Sequence, residues 1–290
     1  GNAFAMQALA AGASYAVVDE YVGEDERLLL VADVLTAMQQ CARDYRRYLN
    51  VPTLGLTGSN GKTTTKELFH AVLNMKYKVH ATKGNLNNHI GVPLTILCAP
   101  RDTEILIVEM GANHQKEIGQ LAAIAEPTLG YITNYGKAHL EGFGGFEGII
   151  KGKSELYDYL ASSKSGVALV NADDTLQMDK SAACKRITFG NASAQFAYQS
   201  DSHNEFAGIT FSNASGSFAV QSNLSGSFNC TNLGAAATIG LYFDVPATAI
   251  AEALSNYVPA MNRVEWRVTA RNKVEAGADG GSGTTGGKDG

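Results

Sequence analysis

The sequence predicts an α/β fold, a doubly wound and mostly parallel sheet with helices on both faces. Strand-like and helix-like segments alternate along residues 51–171, which is the pattern of parallel strands joined by crossover helices. The strands are almost continuously apolar, as strands covered on both faces are. At 290 residues, with 45% hydrophobic and 18% charged residues, the chain is long enough for two domains.

The first 50 residues carry a separate set of elements. An alanine-rich helix over residues 2–12 and a strand over residues 14–18 are followed by apolar residues at helical spacing. One helix and one strand cannot bury their own faces. We therefore expect residues 1–32 to be the end of an N-terminal α/β domain that begins before this sequence, and residues 33–50 to be a linking helix.

Residues 51–263 carry the alternation itself. The apolar patterns predict, in order, strand Thr53–Thr57, helix Thr64–Met75, strands Lys78–Thr82 and Ile105–Met110, helix Glu117–Ala125, strand Leu129–Thr133, helix Phe146–Leu160, strand Val167–Asn171, and the later helices Thr231–Phe243 and Ala247–Tyr257. Short alternating runs between residues 185 and 223 predict antiparallel hairpins at one edge of the sheet. Residues 264–290 end in 14 residues with 7 glycines, so we expect a flexible tail there.

Charge and composition exclude several classes of function. Lys and Arg number 23 against 28 Asp and Glu, and no basic block is present that could follow a nucleic-acid backbone. Apolar stretches such as residues 105–108 are far shorter than the roughly 20 residues that cross a bilayer. Four scattered cysteines fit neither a disulfide framework nor a zinc site. These features predict a cytoplasmic protein that neither binds nucleic acid nor inserts into a membrane. Separately, we expect it to be a monomer.

A glycine-rich loop between the first strand and helix of this region predicts phosphate binding. Glycines let backbone N–H groups surround phosphate oxygens, a lysine such as Lys62 neutralises charge, and the Thr63 hydroxyl suits Mg²⁺. The usual pattern has a glycine where this chain has Leu56, so the match is to a variant of the loop, and a simple glycine turn is the alternative. The candidate nucleotide-binding residues are Gly58, Ser59, Asn60, Gly61, Lys62, Thr63 and Thr64.

Three further side chains are candidates whose residue types leave alternatives open. Glu109 ends the apolar run of residues 105–108 at the sheet edge where doubly wound sheets bind ligands, so it suits Mg²⁺, although such carboxylates also cap helices. His139 follows the next strand at the same edge, where residue type alone favours a structural hydrogen bond. Lys153 lies in a helix whose charged composition favours solvent exposure.

Four runs resemble the Mur ligases. They are T-G-S-N-G-K-T-T (57–64), G-N-L-N-N-H-I-G-V-P-L-T (84–95), E-M-G-A-N-H (109–114) and T-N-Y-G-K-A-H-L-E-G-F-G (133–144). The resemblance covers about residues 1–263. It implies that residues 1–32 end the family's N-terminal UDP-substrate domain and that residues 51–263 form its central ATP-binding domain. From the resemblance we expect no counterpart of the family's C-terminal domain after Arg263, and we therefore expect this chain alone to ligate poorly.

The resemblance also implies roles for individual residues. Lys62, Lys153 and His139 would be catalytic, with Thr63, Glu109, His139 and a carbamylated Lys153 as the magnesium ligands. Lys153, unlike Lys151, has the family's spacing to the aliphatic and aromatic residues that follow it. Asn232 matches an asparagine that faces adenine, although Asn229, three residues earlier, is an equally suitable helix cap. His114 is a weaker metal candidate.

The implied activity is ATP-dependent amide formation in peptidoglycan synthesis, with ATP and Mg²⁺ as cofactors. A substrate carboxylate takes the γ-phosphoryl group, and an amine then displaces phosphate from the acyl phosphate. The runs at 84–95 and 109–114 favour UDP-N-acetylmuramoyl-tripeptide as acceptor and D-alanyl-D-alanine as amine. A sister ligase, a folylpolyglutamate synthase and an ATP-binding fragment without catalysis remain alternatives.

Overall fold

The central feature of the fold is a mixed sheet whose strands run mostly parallel. The computed structural model describes residues 1–137, 140–201, 205–213 and 216–259. Within these residues nine strands form one sheet and two more form a small parallel sheet near the N-terminus. The candidate His139 and the expected tail at residues 264–290 lie outside the described residues.

The elements are numbered in chain order. The strands are β1 Ala16–Val18, β2 Leu28–Leu30, β3 Thr53–Thr57, β4 Val79–Ala81, β5 Ile105–Glu109, β6 Leu129–Ile132, β7 Val167–Asn171, β8 Lys185–Gly190, β9 Phe196–Asp201, β10 Phe206–Asn213 and β11 Gly216–Ser225. The helices are α1 Ala5–Ala10, α2 Val34–Leu49, α3 Lys62–Leu73, α4 Gly91–Leu97, α5 Glu117–Ala125, α6 Leu140–Phe143, α7 Phe146–Ser162, α8 Thr175–Lys180, α9 Asn229–Tyr242 and α10 Ala247–Asn256.

The strand order of the large sheet is β11-β10-β9-β8-β7-β6-β3-β5-β4. Pairing is parallel from β4 through to β9, and antiparallel from β9 to β11. The chain leaves β3 for β4 and β5 on one side and then crosses to β6 on the other. In open α/β sheets, ligands bind beyond the carboxyl ends of the strands at such a reversal.

Helices cover both faces of this sheet, which confirms the predicted fold class. On β5, Ile105 and Ile107 face a core formed with α3, α9 and α10. Leu106 and Val108 face a second core formed with α2, α4, α5 and α7. Since side chains alternate along a strand, a strand apolar at every position must be buried on both faces.

The helix predicted over residues 33–50 is present as α2, and its two caps explain its bounds. The Asp33 side chain accepts a hydrogen bond from Thr36 N at 2.7 Å, and Asn50 closes the helix in the left-handed conformation at φ 48°. Asp19, just after β1, also accepts from Val34 N at 3.0 Å. None of the helices in the part of the chain that the structure describes has the length and apolar character to span a membrane.

Some predicted boundaries were wrong. Helix α3 begins at Lys62 instead of Thr64, because Gly61, at φ 77°, ends the loop directly before it. Strand β8 pairs in parallel with β7, so the antiparallel edge begins only at β9 and β10. Elements β2, α4, α6 and α8 were not predicted, since they are 3 to 7 residues long and too short for a periodic pattern.

Candidate functional site

The glycine-rich loop lies at the carboxyl end of β3, where the strand order reverses. Gly58 has φ 143°, a conformation that favours glycine, and a Cβ there would lie 1.9 Å from Thr133 Oγ1. Thr133 itself donates to Asn60 O at 2.6 Å. The loop is therefore packed tightly against the residues that follow β6.

Asn134 holds the loop from the same side. Its Oδ1 accepts from Asn60 N at 3.1 Å, its Nδ2 donates to Asn60 O at 3.0 Å, and its backbone oxygen accepts from Ser59 N at 3.1 Å. The Ser59 hydroxyl donates to Gly136 O at 2.7 Å. The N–H groups of Ser59 and Asn60 are thus engaged, so these two residues shape the loop. Sequence reasoning did not single out Asn134, although it lies in the run at 133–144.

The amino end of α3 remains available to an anion. Among the residues that the structure describes, no side chain caps this end of the helix. The first N–H groups of a helix have no partner within the helix, and the helix dipole is positive there. Lys62, Thr63 and Thr64 form this first turn and are partly exposed. Their backbone and side chains offer donors for phosphate oxygens.

Two lysines converge on the loop. Lys62 Nζ donates to Gly58 O at 2.7 Å, and Lys153 Nζ, from α7, donates to the same oxygen at 3.1 Å. Lys153 is only 2% exposed, and its ammonium lies 5.4 Å from the centroid of the Phe143 ring. Burial, and then the nearby charge of Lys62, lower the pKa of Lys153 to about 8. Composition favoured solvent exposure for Lys153, and that alternative is wrong; Lys151 is exposed.

Glu109 lies at the end of β5 and is 2% exposed. Its Oε1 accepts from Asn87 Nδ2 at 3.0 Å, whereas Oε2 is buried without a hydrogen-bond partner among the described residues. Lys66 Nζ lies 3.4 Å from Oε2. A hard carboxylate oxygen with unused lone pairs is the donor that Mg²⁺ prefers, so this residue fits a magnesium ligand. The helix-cap alternative for Glu109 finds no support, since its carboxylate contacts side chains.

Lys66 is a site residue that sequence reasoning missed. It follows Lys62 by one helical turn and is 4% exposed, so both lysines lie on the same side of α3. That spacing of four residues, in a helix that begins at a phosphate loop, was the available indication. His114 lies on the surface with its Nδ1 3.2 Å from Glu117 Oε1. The described residues hold no cluster of three His, Cys, Asp or Glu side chains that could bind a metal.

A cavity of about 410 Å³ opens beside the loop. Gly58, Lys62 and Lys153 line one part of it, and side-chain amides line much of the rest. The amide-bearing residues of its wall are Asn85, Asn87, Asn88, Asn113 and Gln120. Because amides both donate and accept, the wall suits the polar groups of a peptide-like ligand whose negative end meets the two lysines.

Asn232 connects α9 to α3. Its Oδ1 accepts from Thr65 Oγ1 at 3.2 Å, and its Nδ2 donates to Asn229 Oδ1 at 2.8 Å. A Cβ on Gly61 would lie 3.3 Å from the same Oδ1, so the Asn232 amide lies directly against the loop. The cap predicted for Asn229 is wrong, because its Nδ2 donates to Ser225 O, before the helix, at 2.9 Å and its side chain caps no helical N–H.

The comparisons with known proteins agree with this geometry. The model of the Mur ligase middle domain matches residues 56–240. A UDP-N-acetylmuramoyl-tripeptide–D-alanyl-D-alanine ligase of Bacillus subtilis (strain 168) is 37% identical over 268 residues, which are 91% of this chain and 58% of that ligase. A crystal structure of MurF from Acinetobacter baumannii has a TM-score of 0.82 at 30% identity, and the match covers 93% of this chain and 60% of that chain.

A second solved structure matches at lower identity. MurF ligase from Thermotoga maritima in complex with ADP has a TM-score of 0.76 at 27% identity, and the match covers 89% of this chain and 60% of that one. The chain therefore spans between 58% and 60% of the length of these three relatives.

Proposed function

The chain belongs to the Mur ligase family, and on this premise we propose that it is the ATP-binding part of a ligase that joins D-alanyl-D-alanine to UDP-N-acetylmuramoyl-tripeptide. The observation that supports this best is the convergence of Lys62 and Lys153 on one loop oxygen beside the uncapped end of α3. The names of the relatives supply the substrates.

ATP binds through the phosphate loop in this proposal. The N–H groups at the start of α3 and the Lys62 ammonium hold the β- and γ-phosphates, while Gly58, Ser59, Asn60 and Gly61 fix the shape of the loop. Asn232 contributes to the adenine side. Among the described residues, its carbonyl oxygen and its NH₂ group each make one hydrogen bond, so each retains a second bonding position for the base.

Magnesium fits the residues of the site. Glu109, whose Oε2 lacks a hydrogen-bond partner among the described residues, and the Thr63 hydroxyl would hold one ion. His139 and a carbamylated Lys153 would hold a second. When bound, Mg²⁺ neutralises negative charge on the phosphoryl oxygens during transfer.

The environment of Lys153 favours carbamylation. The neutral amine attacks CO₂, a new N–C bond forms, and the nitrogen loses a proton to leave an anionic carbamate. With its pKa lowered to about 8, roughly a quarter of the side chain is neutral at pH 7.5, against about one part in a thousand for an ordinary lysine. Burial thus makes Lys153 reactive where the exposed Lys151 is not.

The proposed reaction has two steps. An oxygen of the acceptor's terminal carboxylate attacks the γ-phosphorus, the bond to the bridging oxygen breaks, and ADP leaves with an acyl phosphate behind. The amine of D-alanyl-D-alanine attacks the acyl carbon, phosphate departs, and the nitrogen loses a proton. Lys62 stabilises the developing phosphate charge, and the amide-lined cavity orients the acceptor so that its carboxylate lies near the γ-phosphate.

Two measurements test the proposal. Calorimetry with ATP and Mg²⁺ should show binding that Lys62→Ala weakens and Lys151→Ala leaves unchanged. In a version of this chain extended by the C-terminal domain of a relative, phosphate release from ATP and UDP-N-acetylmuramoyl-tripeptide should depend on D-alanyl-D-alanine and not on glutamate or another single amino acid, whereas the chain alone should release little. Dependence on another amine would indicate a sister ligase or a folylpolyglutamate synthase. ATP binding with no release for any amine, even in the extended version, would favour a fragment without catalysis.

A further inference from the structure

The buried pair of Lys66 and Glu109 has a property that the proposed reaction does not use. Both side chains are almost fully enclosed, at 5% and 2% exposure. Their closest atoms, Nζ and Oε2, lie 3.4 Å apart, yet Oε2 has no hydrogen-bond partner among the described residues. The lysine therefore supplies charge to this oxygen without occupying it with a directed bond.

Two hydrogen bonds hold Glu109, one accepted by its carboxylate and one donated by its backbone. Asn87 Nδ2 donates to Oε1 at 3.0 Å, and the backbone N of Glu109 donates to Thr82 Oγ1 at 3.0 Å. Asn87 also lines the cavity beside the loop. One carboxylate oxygen is thus held by an amide, while the other faces a cation with its lone pairs unused.

The opposite charges of the Lys66 and Glu109 side chains sum to zero. A divalent cation on Oε2 would raise the local charge to +2, close to Lys66 and next to a loop that already holds Lys62 and Lys153. A buried carboxylate without any cation would also be unfavourable. Triphosphate supplies the negative charge that makes a divalent cation acceptable beside Lys66.

We propose that Lys66 is a positioning residue that neutralises Glu109 when no metal is bound and thereby makes divalent-cation binding depend on nucleotide. This inference rests on the proposed function only in taking Glu109 as a metal ligand. Lys66 holds the carboxylate in place in the free protein. Metal then binds together with ATP, and free metal binds weakly.

The test measures Mn²⁺ binding by electron paramagnetic resonance, with and without a non-hydrolysable ATP analogue. In Lys66→Met, Mn²⁺ alone should bind about tenfold tighter than in the parent, because a repelling charge is gone from a poorly solvated site. With the analogue present the two proteins should differ much less. Lys66→Arg should behave like the parent, and Lys164→Met, which removes an exposed lysine, should change nothing.

Thermal unfolding gives a second readout. In EDTA, Lys66→Met should have a lower unfolding midpoint than the parent. Added Mn²⁺ should raise the midpoint of Lys66→Met by more than it raises that of the parent. The double variant Lys66→Met, Glu109→Gln should recover the midpoint in EDTA and gain nothing from Mn²⁺. If Lys66→Met alone fails to fold under every condition, a double variant that folds still supports the pairing of Lys66 with Glu109, and a double variant that does not fold overturns the proposal.

The outcomes separate the two proposals. Equal Mn²⁺ affinity of parent and Lys66→Met without nucleotide overturns the role of Lys66, even if both bind the metal with the analogue. Failure of the parent to bind Mn²⁺ with the analogue overturns the proposed metal site at Glu109. If Lys66→Met also binds no Mn²⁺, both proposals are wrong.

Discussion

Replacing Lys153 with methionine should make the protein more stable near pH 7. Burial and the neighbouring Lys62 lower the pKa of Lys153 from 10.5 to about 8. Each pKa unit corresponds to about 1.4 kcal/mol between the two protonation states, so near pH 7 the charged side chain destabilises the fold by about 3 kcal/mol. The side chain is 2% exposed, so little of this penalty is relieved by water.

The contacts that methionine would lose offset only part of this gain. Gly58 O keeps its hydrogen bond from Lys62 at 2.7 Å, so no buried carbonyl is left without a donor. The contact with the Phe143 ring is worth about 1 kcal/mol, and methionine sulfur also packs favourably on aromatic rings. We expect Lys153→Met to raise the free energy of unfolding by about 2 kcal/mol at pH 7, by the difference of these contributions.

Urea unfolding in buffers free of bicarbonate measures this change, and its pH dependence tests the cause. Between pH 8 and 10.5 the unfolded chain keeps the Lys153 proton while the folded protein releases it, so parental stability should rise relative to the variant. The advantage of Lys153→Met should therefore shrink as the pH rises. Lys151→Met, two residues earlier and exposed, should show neither effect. A variant that is destabilised at pH 7, with an unchanged pH dependence, would refute the reasoning.

Three further predictions concern the loop and its lysines. Gly58→Ala should lower the free energy of unfolding, measured in urea, by more than about 3 kcal/mol, since it combines a positive φ with a collision. Gly84→Ala, which has open space around it, should lower it by only about 1 kcal/mol. Similar losses for both variants would contradict the tight packing at Gly58. Lys62→Ala should weaken ATP binding by about 1.5 to 3 kcal/mol in calorimetry; unchanged affinity would exclude Lys62 from the phosphate site. Nuclear magnetic resonance with ¹³C-bicarbonate should detect a carbamate that Lys153→Met abolishes and Lys151→Met retains, and a signal surviving in Lys153→Met would place the modification elsewhere.

Much of the fold could be predicted because its determinants are local. An apolar strand such as Thr53–Thr57 and a helix such as Glu117–Ala125 show their periodicity within a few residues, and both have the predicted bounds. The position of the glycine-rich loop between β3 and α3 was equally predictable, whereas its use around phosphate stays a prediction. Resemblance alone suggested Lys153, because composition favoured exposure for it.

The tertiary structure decided what depends on which elements pack together. Lys66 pairs with Glu109 only because α3 covers the edge where β5 ends, and Asn134 holds the loop only because β6 lies beside β3. Strand β8 is parallel because it pairs with β7, and no residue within β8 specifies that partner. An ion pair or a strand pairing joins residues distant in sequence. Its energy depends on their distance and burial in the folded chain, and no single segment of the sequence encodes either quantity.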